Sequence, residues 1–203
     1  MGTPLPLVLA SASPRRQELL RNAGIAIVVH PAQVDETPHE GEVPQACVER
    51  LAKEKALAVS RTYPQAYVLG ADTIVVVDGI ILGKPRDQAD AARMLGLLTG
   101  RAHCVVTGVC LIGPAPAQRT DNQEPSAGFQ DVRSETTLVT VSQLSDQEIR
   151  DYVATAEPMD KAGAYAIQGR ASRWITRIEG DYSNVVGLPV ALVYGMLREH
   201  GVM

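Results

Sequence analysis

The sequence predicts a mixed α/β fold, and three observations carry that expectation. Short apolar runs alternate with amphipathic segments of helical period along the chain. With 203 residues, 45% of them hydrophobic, the chain can bury a full core as one domain or two closely joined lobes. Aromatic residues make up only 4%, with one Trp and one Phe, so the core must be built from Val, Leu, Ile and Ala, as in sheets covered by helices.

The elements follow in order. Leu7, Val8 and Leu9 form a first strand that ends in small residues. Ser13 suits the N-cap of the next helix and Pro14 its first position, where a missing N–H costs nothing. Gly24 is placed to end that helix, and IAIVV (25–29) reads as a strand. An acidic, Pro-punctuated loop covers 31–44, and Pro44 opens a helix carrying Lys53 and Lys55. Residues 66–85 read as two strands joined at Asp78-Gly79, a strong hairpin signal. Asp87 caps a helix that Gly100 stops, and a strand covers 103–112. The stretch 113–131 is rich in Pro, Gly, Ser and Gln and reads as an exposed loop that function could spare. After it come a strand (SETTLVTVS), a helix opened by a Ser145–Glu148 capping box, and an irregular or short-helical segment at 157–169. A strand at 172–180 and a helix from Pro189 to Gly201 complete the chain.

Composition excludes several classes. A net charge of −4 argues against a nucleic-acid polymer as partner, while leaving room for a small anion held by local cations. Cys47, Cys104 and Cys110 form an odd set without CxxC spacing. The last two lie in an apolar strand-like run, so buried free thiols and a reducing compartment are expected. The N-terminus is too short and Pro-rich for a signal peptide, and no stretch is long and apolar enough to span a membrane, so a cytoplasmic location is expected. No Walker phosphate loop, no GxGxxG after a strand and no GxSxG elbow occur. His30, His39, His103 and His200 lack zinc-ligand spacing.

Three places could carry chemistry. Arg15 and Arg16 stand in the first turn of a helix, where the helix dipole is already positive. Two cations there are awkward without an anion, and a phosphate beside the backbone N–H groups is the natural occupant. Counting out from the Asp78-Gly79 turn sets Thr73 opposite Lys84, with Asp72 next to that pair. Asp is ill suited to a strand. Asp72 is there either for a bend or an ion pair with Lys84, or as a carboxylate that binds a metal or takes a proton from water. Lastly, Glu157, Asp160, Lys161 and Gln168 share a glycine-containing segment, in which Gln168 could both donate to and accept from a base edge. A solvated turn would look the same. Asp35 and Glu36 are either a metal-binding pair or part of a solvated acidic loop.

Four segments, SASPRRQELL, GADTIVVVDGIILGKP, EPMDKAGAYAIQG and GDYSNVVGLPV, together resemble the Maf family of nucleoside triphosphate pyrophosphatases. The resemblance covers nearly the whole chain outside 113–131. It implies a single domain over residues 1–203 with a Maf/ITPase-like fold: an elongated, twisted mixed sheet flanked by helices, in two lobes with an active-site cleft between them. It also implies hydrolysis of a nucleoside triphosphate to the monophosphate and pyrophosphate with a divalent cation, Mg²⁺ or Mn²⁺, and a homodimer. Asp72 matches the acidic catalytic position, as general base or metal ligand, and Glu36 an acidic position beside it. Ser13, Arg15, Arg16, Lys55 and Lys84 match phosphate-cleft positions, Lys84 with a catalytic role. Asp160 and Lys161 join the substrate-binding set. Arg15, Thr73 and Gln168 match the subfamily acting on dTTP and UTP, where the subfamily resembling 7-methyl-GTP pyrophosphatases has Trp, Gln and Glu. A house-cleaning role in the nucleotide pool follows, extending to modified pyrimidine triphosphates. The alternative is a nucleotide-binding regulator of cell division and septum formation with little catalysis. Ala156 departs from the pattern, standing where a Gly often precedes Glu-Pro.

Overall fold

The computed structural model describes residues 5–114 and 128–203. In chain order its elements are β1 (Leu7–Leu9), α1 (Pro14–Asn22), β2 (Val28–Val29), α2 (Pro44–Ser60), β3 (Tyr67–Val77), β4 (Ile80–Leu82), α3 (Gln88–Leu98), β5 (Ala102–Ile112), β6 (Gln130–Val141), α4 (Asp146–Val153), β7 (Ile175–Glu179), α5 (Tyr182–Val186) and α6 (Val190–Glu199). Short 3-10 turns occupy Glu157–Asp160, Ala162–Ala164 and Arg170–Trp174. The strands hydrogen-bond in the order β2-β1-β3-β5-β6-β7, with β4 on β3. β1 is parallel to β2 and β3, whereas β3–β4 and β6–β7 are antiparallel, so the sheet is mixed as expected.

The chain divides into two compact units. The first comprises Met1–Asp72, Gly108–Ser134 and Leu188–Met203; the second comprises Thr73–Thr107 and Glu135–Gly187.

In the first unit, alternation along the strands decides which helix each side chain meets. Leu7, Leu9, Leu69, Ala71, Val109 and Leu111 join Leu20 of α1 and Val193, Met196 and Leu197 of α6 in one apolar cluster. Their neighbours Val8, Val68, Cys110 and Ile112 face the other way and pack with Ala52, Ala56 and Val59 of α2. Both faces are covered, which accounts for the unbroken Val/Leu runs. Two glycines let α2 lie close to the sheet. A Cβ at Gly70 would stand 2.8 Å from the Ala56 amide nitrogen and nearer still to the Ala52 carbonyl oxygen, and one at Gly108 would stand 2.7 Å from the Glu49 nitrogen.

In the second unit the hairpin has the expected register, Val77 opposite Ile80 and Val75 opposite Leu82. Asp78 (φ 50°) and Gly79 (φ 77°) take the left-handed conformations that a two-residue turn demands. Pairing stops at Leu82, so Thr73 and Lys84 lie beyond the ladder. The Asp87 cap on α3 is present, its carboxylate accepting from the Asp90 amide. So is the capping box of α4, with both reciprocal bonds made. Leu95, Leu98, Val141, Tyr165 and Trp174 line a small apolar cavity.

The strand expected at 25–29 shrinks to Val28–Val29. Ile25 instead closes the turn after α1, its amide donating to the Leu20 carbonyl at 2.9 Å, and its side chain sinks into the first cluster. The strand expected at 172–180 begins only at Ile175, because 170–174 wind into a 3-10 turn that buries Trp174. β6 starts at Gln130, inside the stretch expected to be loop, and residues 115–127 of that stretch lie outside the described residues. The short helix α5 escaped the sequence reading; Asp181 caps it by accepting from the Ser183 amide at 2.6 Å. All three cysteines are free, but only Cys47 and Cys110 are buried, Cys104 being half-buried. Among the described residues no helix is long and apolar enough to cross a membrane.

Candidate functional site

The strand parity that sends Val68 and Gly70 toward α2 sends Asp72 there as well. On α2, Ala52, Lys55, Ala56 and Val59 form the buried stripe of a helix with 3.6-residue period. The two patterns bring Lys55 Nζ to 2.6 Å from Asp72 Oδ1. The loop before α2 adds Glu36, whose Oε1 also lies 2.6 Å from Lys55 Nζ. Lys55 and Asp72 are 6% and 7% exposed, so each charge has lost most of its water. Burial of that kind is tolerable only with close opposite charges, and the ammonium has two. Lys55 is thus the partner that accounts for an Asp inside a strand.

α1 contributes Arg16, four residues before the buried Leu20 and on the same face. Its Nη1 donates to the Ala71 carbonyl at 2.8 Å and to Ser11 Oγ at 3.2 Å. Desolvation lowers the guanidinium pKa, the charges of Asp72 and Glu36 pull it back up, and Arg15 lowers it further. Ser11 accepts from the Ser13 amide too, at 3.2 Å. Sequence reasoning missed Ser11, because a small polar residue after a strand carries no local signal. Ser13 occupies the N-cap position and Pro14 the first turn, as expected, yet the Ser13 side chain makes no cap bond.

Asp35 and Glu36 part company. Asp35 turns back into its own loop, accepting from the Thr37 amide at 2.9 Å and the Thr37 hydroxyl at 2.6 Å, and these bonds hold its carboxyl below the usual range. Glu36 goes to Lys55. Two carboxylates, Glu36 and Asp72, therefore converge on one positive centre, and they are hard oxygen donors. That set fits a divalent cation of the Mg²⁺ type, which takes one or two protein carboxylates and completes its shell with water and phosphate oxygens. Among the described residues no group of three or more His, Cys, Asp and Glu could hold a metal ion.

Arg15, half-buried in the first turn of α1, also belongs to the first unit, and the other expected site residues belong to the second. Thr73 Oγ1 donates to the Gly187 carbonyl at 3.2 Å and shares a hydrogen bond with Thr107 Oγ1 at 3.0 Å. Lys84 is exposed, two residues past the end of β4. Lys161 pairs with Asp160 and donates to the Glu157 carbonyl at 2.8 Å. Gln168 is exposed in the turn between the buried Ile167 and the half-buried Gly169.

Comparison with known proteins agrees with the resemblance read from the motifs. Residues 6–200 match the family model described as Maf-like protein. The chain is 55% identical over 197 residues to the dTTP/UTP pyrophosphatase of Koribacter versatilis, covering 97% of this chain and 95% of that one. It is 54% identical over 195 residues to the dTTP/UTP pyrophosphatase of Symbiobacterium thermophilum, covering 96% and 94%. A Syntrophomonas wolfei protein of the same description is 49% identical over 193 residues, 95% of this chain and 96% of its own. With matches of this strength from end to end, the chain belongs to the Maf family.

Proposed function

We propose that this protein hydrolyses dTTP and UTP, together with modified pyrimidine nucleoside triphosphates, to the monophosphate and pyrophosphate, and so cleans the nucleotide pool. The observation that carries the reading is the Lys55 ammonium held between Asp72 and Glu36 beside the buried Arg16. It stands in a chain that matches dTTP/UTP pyrophosphatases over nearly its whole length.

In this reading water attacks the α-phosphorus, the bond to the bridging oxygen breaks, and pyrophosphate leaves with the electron pair. A triphosphate carries several negative charges, and Arg15, Arg16, Lys55 and Lys84 offset them. The start of α1 at Ser13 presents backbone N–H groups to the same anion. Asp72 orients the attacking water and accepts its proton, or serves with Glu36 as a metal ligand. Asp72 and Glu36 are the residues that would hold a divalent cation, which when bound supplies positive charge to the phosphate oxygens. Thr73, Asp160, Lys161 and Gln168 complete the substrate contacts by family resemblance, with the Gln168 amide reading the pyrimidine edge. The resemblance also extends the reading to a homodimer; a cytoplasmic location belongs to the same reading, with three free cysteines in support of a reducing compartment.

The test is pyrophosphate release from dTTP, UTP, CTP, dATP, GTP and 7-methyl-GTP, with Mg²⁺ and with EDTA. Turnover led by dTTP and UTP and abolished by EDTA is expected. Folded protein that is silent across the panel would overturn the reading in favour of a nucleotide-binding regulator.

A further inference from the structure

The turn that carries Gln168 is fastened by the side chains of Tyr152 and Glu157, which the proposed reaction does not use. The Tyr152 hydroxyl donates to Glu157 Oε1 at 2.8 Å and accepts from the Ala166 amide at 3.1 Å. Glu157 in turn accepts from the Arg170 amide, at 2.9 Å through Oε1 and 3.3 Å through Oε2. The Gly169 amide closes the turn on the Ala166 carbonyl at 3.0 Å. Backbone is therefore pinned two residues before Gln168 and two residues after it, by one Tyr–Glu pair. Gly169 is part of the device: a Cβ there would lie 2.5 Å from Glu157 Cδ, so the turn rests directly on the carboxylate. The Glu157 carbonyl also receives the Lys161 ammonium at 2.8 Å. Tyr152 is 1% exposed, and burial together with Glu157 pushes its phenol up, keeping it a neutral donor.

The geometry points to Glu157, with Tyr152, as the positioning residue that gives Gln168 its selectivity for a pyrimidine with a carbonyl at C4. This rests on the reading of Gln168 as the base contact. A Gln amide reads a base edge only from hydrogen-bond distance, and an error of about 1 Å in its placement is enough to lose the contact. Holding the backbone on both sides of Gln168 fixes where its side chain starts, and so how far its amide lies from the base edge. Glu157 is suited to hold the turn because an ionised carboxylate only accepts, and every group aimed at it donates. Glu157→Gln keeps the shape but sets an NH₂ group against an N–H or O–H donor.

The experiment compares kcat/KM for dTTP with that for dCTP in the full-length enzyme, in Glu157→Gln, Tyr152→Phe and Gln168→Ala, and in the double variant Glu157→Gln/Gln168→Ala. Inhibition by inorganic pyrophosphate serves as a readout of the phosphate end. The expected result is a fall of about tenfold in the dTTP-to-dCTP ratio for both Glu157→Gln and Tyr152→Phe, with pyrophosphate inhibition unchanged. In the Gln168→Ala background Glu157→Gln should cause no further fall, because the two changes act through one group. An unchanged ratio in the folded single variants overturns the inference. So does an equal loss in the Gln168→Ala background, or a matching loss of pyrophosphate inhibition. If Gln168→Ala itself keeps the full ratio, the base-reading assignment fails first and this inference with it. If Glu157→Gln does not fold, Tyr152→Phe, which removes one hydroxyl, decides the matter.

Discussion

Lys55 and Asp72 meet at 2.6 Å because a strand of period two and a helix of period 3.6 bring these two positions onto the same interface. On α2 Lys55 sits between the buried Ala52 and Ala56, within a stripe that is otherwise packing. The same two patterns that build the core therefore deliver its charges.

Replacing Asp72 by Asn leaves Lys55 with Glu36 and removes a negative charge from a place proposed to receive a polyanion. Turnover should be lost while nucleotide binding largely survives. Calorimetric titration with a non-hydrolysable dTTP analogue, beside a pyrophosphate-release assay, checks this. Lost binding in folded protein would make Asp72 a ligand-positioning group.

Lys84 is exposed and lies just past the hairpin ladder, so its removal should leave the fold intact. Lys84→Ala should lower kcat by about 10²- to 10³-fold, the scale on which one electrostatic stabiliser of a leaving group acts. A rate equal to wild type would take Lys84 out of the chemistry.

His103 is 2% exposed, with Nε2 2.8 Å from the Tyr165 hydroxyl, and burial pushes its pKa down to about 4. The imidazole is thus neutral in the fold, while in the unfolded chain it takes up a proton near pH 6.5. Because the unfolded state binds more protons in that window, stability should fall as the pH drops from about 6.5 to about 4, by a total on the order of 3 kcal/mol from this group. Above pH 7 it has no effect. Urea unfolding across that range should show a shallower slope for His103→Gln than for wild type; parallel curves would refute the assignment.

Ala156 adopts φ 60° and ψ 0°, a left-handed conformation that costs an L-residue with a Cβ. In the family pattern that the chain resembles a Gly often stands at this position, and the left-handed backbone gives a reason for it. Ala156→Gly should raise stability by up to about 1 kcal/mol, the relief of strain being partly offset by the freer unfolded chain. A thermal midpoint lower than wild type would contradict the strain.

Local signals survived translation into structure and non-local ones did not. The Asp78-Gly79 turn, the Ser145–Glu148 box and the Asp87 cap each depend on a few neighbouring residues, and each formed as expected. IAIVV failed as a five-residue strand because Ile25 found burial through a turn, which apolar periodicity cannot distinguish from a ladder. Within the candidate site, Arg16 and Asp72 could be named from motifs, and Glu36 and Lys55 from the family resemblance. Their arrangement could not be read, since Glu36 and Lys55 lie 19 residues apart and Lys55 and Asp72 lie 17 apart. Nothing local announced Ser11, nor the bond between His103 and Tyr165, 62 residues apart.

Gly70 and Gly108 sit under α2 with no room for a methyl group. In a saturation library read out by activity, those two columns should be blank except for glycine, although neither residue meets substrate. Any larger residue acts as a shim, lifting the helix that holds Lys55 off the strand that holds Asp72. The tolerance of the charge cluster is thus machined into the backbone two positions before its acid, and evolution can retune the surrounding loops without reopening that dimension.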